Sequence, residues 1–111
     1  MTAISSHVLD VENGCPAAGV ELMLFQDDDL LFSGVTNADG RCPALAELVI
    51  GPGNFRLRFN SGKYFEKLSP SRGGGFFIKS STIEFSVDGD QSKYHIPLLA
   101  SRFSLAMYKG S

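Results

Sequence analysis

The chain has 111 residues, of which 43% are hydrophobic and 20% are charged, and its formal net charge is −2. We expect residues 1–111 to form a single domain that buries about two-thirds of its unfolded surface and folds without disulfides or metal ions. The small negative charge and the scattered Lys and Arg residues exclude a basic surface for nucleic acids, so no nucleic-acid partner is expected.

The cellular location is predicted from what the sequence lacks. No window holds the roughly 18 apolar residues of a membrane span, and residues 1–6 lack the charged start and apolar run of a signal peptide. We therefore expect a cytoplasmic protein without a membrane partner. Two cysteines, Cys15 and Cys42, are compatible with one disulfide or with two thiols, and a cytoplasmic protein favours thiols.

The first half of the chain predicts short strands separated by turns. The predicted strands cover residues 5–11, 20–26, 30–36 and, within a stretch that fits either a short strand or a helical turn, 47–50. In the second of these, Val20, Leu22 and Leu24 recur at period two and therefore share one face. Asn-Gly at residues 13–14 and Asp-Gly at residues 39–40 indicate sharp turns, because these residues tolerate positive φ angles.

Three consecutive aspartates occupy residues 27–29, between the second and third strands. Calcium-binding loops place their acidic ligands at alternate positions and repeat the acids further along the chain, and this segment does neither. A solvated hairpin tip is the better interpretation.

The second half predicts the remaining strands and one helix. The strands cover residues 55–60, 76–87, 94–101 and 103–108. Phe55, Leu57 and Phe59 alternate with polar residues, which is typical of a strand with one buried face. The apolar spacing over residues 61–68 predicts a short helix laid over the sheet, ended by Ser69-Pro70. Residues 71–75 contain three glycines without the Lys-Ser/Thr of a phosphate-binding loop and predict a plain loop.

Seven or eight short strands and one small helix, with turns about every eight to twelve residues, predict an all-β fold of two packed sheets. The penultimate strand contains Pro97, which has no backbone N–H to donate, so a local irregularity is expected there.

The two histidines are the first candidates for chemistry. His7 lies in the first strand, and His95 shares a strand face with Pro97 and Leu99. A single histidine is more often a surface or packed residue than a catalytic one, but an imidazole on an apolar face can serve as an acid or base near neutral pH. No nucleophile motif and no metal-ligand spacing accompanies either residue.

Residues 6–20 resemble the opening signature of the transthyretin family. They read Ser-His-Val-Leu-Asp-Val-Glu-Asn-Gly-Cys-Pro-Ala-Ala-Gly-Val. Further segments fall in the order and spacing of its 5-hydroxyisourate hydrolase branch: Asn37-Ala38-Asp39-Gly40-Arg41, Gly62-Lys63-Tyr64-Phe65, Phe85 and Tyr94-His95-Ile96-Pro97-Leu98-Leu99. The resemblance spans essentially the whole chain, and the motifs are specific together rather than singly.

The resemblance implies a transthyretin-like (prealbumin-like) β-sandwich that hydrolyses 5-hydroxyisourate to 2-oxo-4-hydroxy-4-carboxy-5-ureidoimidazoline in urate breakdown, without cofactor or metal. It implies catalytic roles for His7, Arg41 and His95. The substrate-binding residues that it implies are Tyr108, Lys109, Gly110 and Ser111. It also implies a homotetramer, a dimer of dimers with sites in a channel between the dimers. The last strand, with Phe103, Leu105 and Met107, is an apolar edge compatible with such pairing.

The chain departs from the family pattern at two places. Lys109 stands where the family's terminal tetrapeptide has Arg, and residues 100–103 read Ala-Ser-Arg-Phe where Leu-Ser-Pro-Phe/Tyr is usual. Lysine keeps the charge but loses the planar two-pronged donor, so we expect activity with altered substrate affinity. A non-catalytic transthyretin-like module that binds a small ligand is the alternative, and an immunoglobulin-like interaction domain is a third. In the binding module Lys109 would mark lost activity, and the immunoglobulin-like domain has no reason to bring both histidines and Arg41 to one place. The retained His7, Arg41 and His95 favour the enzyme.

Overall fold

The structure is a computed structural model that describes residues 1–68 and 77–110. These residues form eleven strands and two helices. The strands are β1 (Thr2–Ser5), β2 (Val8–Asp10), β3 (Cys15–Pro16), β4 (Glu21–Gln26), β5 (Asp29–Val35), β6 (Val49–Ile50), β7 (Gly53–Phe59), β8 (Ser81–Val87), β9 (Lys93–His95), β10 (Leu98–Ala100) and β11 (Leu105–Met107). The helices are α1 (Pro43–Glu47) and α2 (Ser61–Leu68), and neither is long and apolar enough to cross a membrane.

One layer is a four-stranded antiparallel sheet in the order β5-β4-β7-β8. The other layer consists of two smaller sheets, β6-β1-β9 and β11-β10-β2-β3. Strands β1 and β9 pair in parallel with Ser5 opposite His95, and β2 and β10 pair in parallel with Val8 opposite Leu98. The partner residues are equally far apart in the sequence in both pairs, so the register does not change between them. The two small sheets are therefore parts of one layer, joined end to end.

Backbone hydrogen bonds carry this pairing across the gap between the small sheets, from Ile96 N to Ser5 O (2.9 Å) and from Leu98 N to His7 O (3.0 Å). The predicted two-sheet sandwich is therefore confirmed. Strands β9 and β10 together correspond to the strand predicted over residues 94–101. Strands β1 and β2 likewise form one interrupted strand, but it begins at Thr2, earlier than the strand predicted over residues 5–11. With the two-residue β3 set aside, the described chain has the eight strands that were predicted.

The two layers enclose one hydrophobic core, in which the apolar residues predicted from period-two patterns are buried. The four-stranded sheet contributes Val20, Leu22, Leu24, Phe55, Leu57 and Phe59, and the opposite layer contributes Ile4, Val8, Ile96, Leu98 and Ala100. Helix α2 covers one side of the core through Phe65, and α1 contributes Leu45. Helix α2 spans the predicted residues, and its place on the core confirms the prediction for residues 61–68.

Several element boundaries differ from the predicted ones. The stretch that fitted either a short strand or a helical turn contains both. Helix α1 covers Pro43–Glu47, because Pro43 sets the φ angle of a first helical position and Leu45 is buried, and the strand expected over residues 47–50 is confined to Val49–Ile50. The strand predicted for residues 76–87 begins only at Ser81. Residues 69–76, with the predicted glycine loop and the end of the helix, lie outside the described part of the chain.

The last strand is shorter than predicted, and apolar side chains are exposed at and before it. Strand β11 covers only Leu105–Met107, and Phe103 precedes it with 69% of its surface exposed. Met107 packs against the core, while Leu105 remains exposed at the sheet edge. The aspartates at residues 27–29 are exposed at the β4–β5 hairpin, as predicted.

Pro97 divides the penultimate strand, which confirms the predicted irregularity. Ile96 and Pro97 lie between β9 and β10, and the chain opposite is interrupted at Ser6 and His7. Because proline has no N–H to contribute, the ladder cannot continue unbroken through this position. The interruption places both histidines at the junction of the two small sheets.

A buried carboxylate fastens the turn after β2. Asp10 is 1% exposed, and it accepts hydrogen bonds from the backbone N–H groups of Glu12 and Asn13, from Asn13 Nδ2 and from Tyr64 Oη at 2.7–3.0 Å. Burial alone would raise the pKa of Asp10, but these hydrogen bonds outweigh it and hold the pKa below the ordinary 3.8. Asp10 therefore links β2, the turn that follows it and helix α2.

Replacing Asp10 with asparagine should lower the free energy of unfolding at pH 7 by about 1–3 kcal/mol, because a neutral amide cannot accept all four bonds. The carboxylate contributes stability above its ordinary pKa of 3.8 and loses it as the pH falls through the lower folded-state pKa. The difference between wild type and Asp10→Asn should therefore shrink below pH 3.8. Urea unfolding at pH 7 and pH 3 measures both effects, and a difference that is independent of pH would contradict the assignment.

Candidate active site

His95 is held from two sides at the end of β9. Its Nδ1 lies 2.8 Å from Ser5 Oγ on the neighbouring β1. The backbone N–H of Gly110 donates to His95 O (2.6 Å), which fastens the C-terminal tail across the strand. A Cβ at residue 110 would lie 2.9 Å from His95 Cδ2, so only glycine permits this approach. The imidazole is therefore fixed between Ser5 and the tail.

Arg41 is presented by the turn that follows β5. Asn37 Oδ1 accepts hydrogen bonds from the backbone N–H groups of Asp39 (2.9 Å) and Arg41 (3.1 Å), and Gly40 adopts a φ of 76°. Arg41 then forms an isolated antiparallel bridge with His7. His7 Nε2 donates to the carbonyl oxygen of Asp39 (2.9 Å), because a carbonyl can only accept. His7 thus supports the turn that carries Arg41.

These elements border a cleft of about 550 Å³. The described residues that line it are Ser5, Arg41, Gln91, Lys93, His95, Lys109 and Gly110. Three of these carry a fixed positive charge and none is acidic. Among residues 1–68 and 77–110, no group of three or more His, Cys, Asp or Glu side chains could hold a metal ion.

The cleft brings together four of the seven residues predicted for the site, namely Arg41, His95, Lys109 and Gly110. His7 adjoins it through Arg41 rather than lining it. Tyr108 is also outside the lining and is 47% exposed. Ser111 lies outside the described residues.

The surroundings of His95 favour its neutral form. Burial of the ring lowers the pKa of His95 below the ordinary 6.5, and the positive charges of Arg41 and His7 lower it further. At neutral pH the imidazole is therefore available to accept a proton. This is the property that a general base requires.

Lys109 lies at the rim of the cleft against an aromatic ring. Its Nζ is 5.3 Å from the centre of the Tyr94 ring, a cation–π distance. Tyr94 Oη donates to Asp88 Oδ1 (3.2 Å). The pKa of Asp88 is lowered, chiefly by the hydrogen bond from the Asp90 N–H and to a smaller extent by the charge of Lys109. The Tyr94 ring is therefore the group that contacts the ammonium of Lys109, and Asp88 fixes the Tyr94 hydroxyl.

Sequence reasoning missed three lining residues, Ser5, Gln91 and Lys93. Lys93 was open to prediction, because residues two apart in a strand share a face and Lys93 is two residues before His95. Ser5 was not, because it meets His95 only through a parallel pairing of strands that are 90 residues apart.

Residues 4–110 match the model of the HIUase/Transthyretin family. A 5-hydroxyisourate hydrolase from Salmonella dublin is 38% identical over 113 residues, which cover 97% of this chain and 80% of that protein. The structure of Klebsiella pneumoniae 5-hydroxyisourate hydrolase is similar with a TM-score of 0.88 at 28% identity, over 100% of both chains. Transthyretin from Sparus aurata has a TM-score of 0.85 at 23% identity, over 99% of this chain and 97% of its own, and shows likeness of fold alone.

Proposed function

The chain belongs to the HIUase/transthyretin family, and from that premise we propose how the cleft around His95 carries out the reaction. The protein hydrolyses 5-hydroxyisourate in urate breakdown, opening the cyclic amide with water to give 2-oxo-4-hydroxy-4-carboxy-5-ureidoimidazoline. Such a reaction needs a base for water, a positive donor for the oxyanion and an acid for the leaving nitrogen.

We assign the base to His95. Its Nε2 takes a proton from water while the oxygen adds to the ring carbonyl carbon. Arg41 stabilises the resulting oxyanion by charge and hydrogen bonding. The C–N bond then breaks as the proton held on His95 passes to the leaving nitrogen, and the new carboxylic acid ionises. The observation that carries this proposal is the convergence of Arg41, His95 and the Gly110 tail on one cleft.

The remaining predicted residues have supporting roles in this proposal. The bridge from His7 to Arg41 supports a role for His7 through Arg41, and its assignment to proton transfer stays a prediction. Lys109 supplies positive charge at the rim, next to Gly110, which closes over His95. The assignment of Tyr108 and Ser111 to substrate binding also stays a prediction.

The activity is tested by generating 5-hydroxyisourate in place from urate with urate oxidase and following its ultraviolet absorbance. The wild-type protein should accelerate the decay well beyond the spontaneous rate. A decay no faster than the protein-free control would contradict hydrolysis and would favour the non-catalytic binding module instead.

Lys109→Arg tests the departure from the family pattern. The planar guanidinium can make two parallel hydrogen bonds to a planar ring, so KM should fall by roughly two- to tenfold while kcat changes little. Initial rates over a range of substrate concentrations measure both constants. Lys79→Arg makes the same exchange at an exposed position outside the cleft and should change neither. An unchanged KM in Lys109→Arg would remove Lys109 from substrate binding.

We also propose a homotetramer built as a dimer of dimers. Its support is the position of β11 at a sheet edge, where Leu105 and the preceding Phe103 are exposed, since open apolar edges favour pairing with another chain. Sedimentation equilibrium should give the mass of four chains of 12.0 kDa each. Leu105→Glu should give a smaller species. A wild-type protein that sediments as a monomer at micromolar concentration would contradict the assembly.

Two further proposals concern the cellular location and the number of domains. Cys15 and Cys42 are both free thiols, which supports a cytoplasmic location because thiols persist in a reducing compartment. A single hydrophobic core and a family match over residues 4–110 support one domain.

A further inference from the structure

Ser5 and His95 face each other across the parallel pair β1–β9, and their side chains meet on the side of the cleft. Ser5 Oγ lies 2.8 Å from Nδ1 of the imidazole. Gly110 packs against the Cδ2 edge of the same ring. In the part of the chain that the structure describes, Nε2 of His95 has no hydrogen-bond partner. Nε2 is therefore the ring nitrogen left to meet a bound molecule.

The hydrogen bond between Ser5 and His95 differs from the one that the neighbouring Ser6 makes. Side chains at successive strand positions point to opposite faces. Ser6 is buried, and its Oγ donates to the backbone carbonyl of Ile96 (2.7 Å), which ties the two parallel strands together. Ser5 is half-buried on the opposite face, and its Oγ contacts the imidazole instead. Only the second contact acts on a group that can carry a proton.

A neutral imidazole carries its proton on one of two nitrogens, and the hydrogen bond at one nitrogen decides which. If His95 is to accept a proton at Nε2, its own proton must be on Nδ1. A serine hydroxyl can donate or accept, and only acceptance from Nδ1–H is compatible with that state. The same bond persists after Nε2 is protonated, so it is made throughout the reaction.

We propose that Ser5 is a positioning residue for the hydrolysis: its Oγ accepts a hydrogen bond from His95 Nδ1–H and fixes the tautomer whose Nε2 lone pair faces the cleft. The inference rests on the proposed function, because a base is needed only if the cleft activates water. It adds to that function a residue that neither the sequence pattern nor the assigned roles of His7, Arg41 and His95 contain.

The tautomer can be read directly by nitrogen-15 NMR of the imidazole rings at pH 8. The chain has only two histidines, so the spectrum is simple, and His7→Gln assigns the signals. In the wild type, His95 should show a protonated Nδ1 and an unprotonated Nε2. In Ser5→Ala the protonated signal should move to Nε2 or become an average of both tautomers. An Nε2–H tautomer in the wild type would overturn the role of Ser5.

Kinetics provide the second readout. Ser5→Ala should lower kcat by about tenfold with KM changed less than about twofold, because ring orientation affects the proton transfer rather than ground-state binding. Ser5→Thr keeps the hydroxyl and should restore most of kcat. The matched control is Ser86→Ala, which removes an equally short side-chain bond, Ser86 Oγ to Asn54 Oδ1 at 2.8 Å, on the exposed face of the other sheet.

The outcomes separate the two claims. A wild-type protein that does not accelerate the decay of 5-hydroxyisourate would overturn the proposed function, whatever the tautomer. An active wild type whose kcat is unchanged in Ser5→Ala, or lost equally in Ser5→Ala and Ser5→Thr, would overturn the role of Ser5 and leave the function standing.

Discussion

Replacing His95 with asparagine should lower kcat for 5-hydroxyisourate by about 100- to 10,000-fold, the usual contribution of a general base. Asparagine is similar in size and its amide can still bond to Ser5 Oγ, but it cannot accept a proton. The lowered pKa of His95, caused first by burial and then by the charges of Arg41 and His7, keeps the wild-type imidazole neutral at the assay pH. The ultraviolet assay with urate oxidase measures the loss.

The fold should survive this substitution, because His95 is only half-buried and its backbone bonds to β1 and Gly110 do not depend on the side chain. Thermal unfolding of the variant should therefore stay close to that of the wild type. A His95→Asn protein that is folded and retains kcat within about tenfold of the wild type would contradict the assignment of His95 as the base.

The second large effect is expected for Arg41→Ala, which should lower kcat by about 100-fold or more, as removal of one oxyanion donor typically does. The substitution should also change the pH dependence. Because the charge of Arg41 lowers the pKa of His95, its removal should raise that pKa and move the acid limb of kcat/KM to higher pH. Burial of the imidazole, which is the larger cause of the lowered pKa, remains in the variant. A profile of kcat/KM between pH 5 and 8 measures the shift of the acid limb.

Arg58→Ala is the matched control for this experiment. Arg58 is exposed on β7 in the other sheet and does not line the cleft, so its loss should leave both kcat and the acid limb unchanged. Arg41→Lys, which keeps the charge but not the two-pronged donor, should hold the acid limb near its wild-type position while kcat falls. Equal activity of Arg41→Ala and Arg58→Ala would remove Arg41 from the mechanism.

Much of the fold was predictable because it depends on neighbours along the chain. Alternation at Val20, Leu22 and Leu24 identified β4 and its buried face, since a strand's side chains point alternately to two sides. The turn at residues 37–41 followed from Asn and Asp-Gly. Pro97 predicted an interruption, because its missing N–H acts wherever the residue lies.

The strand ends were harder to predict, because they depend on packing. Nothing in the local pattern of residues 76–87 indicates that the strand starts at Ser81, which is where pairing with Phe59 of β7 begins. Residues 42–49 fit two local structures, and burial of Leu45 in the core decides for the helix. Such choices depend on what the rest of the chain places nearby.

For the site, the sequence by itself determined which groups are available. The two histidines stood out by their chemistry, and the resemblance to a family added the arginine after Asp39-Gly40 and the positively charged tail. Only the tertiary structure decided their arrangement. It placed His95 in the cleft and His7 behind Arg41, and it brought in Ser5 and Lys93. The physical reason is that residue types and turn chemistry are local properties, whereas the meeting of Ser5 with His95 depends on the parallel pairing of two distant strands, which the packed core stabilises.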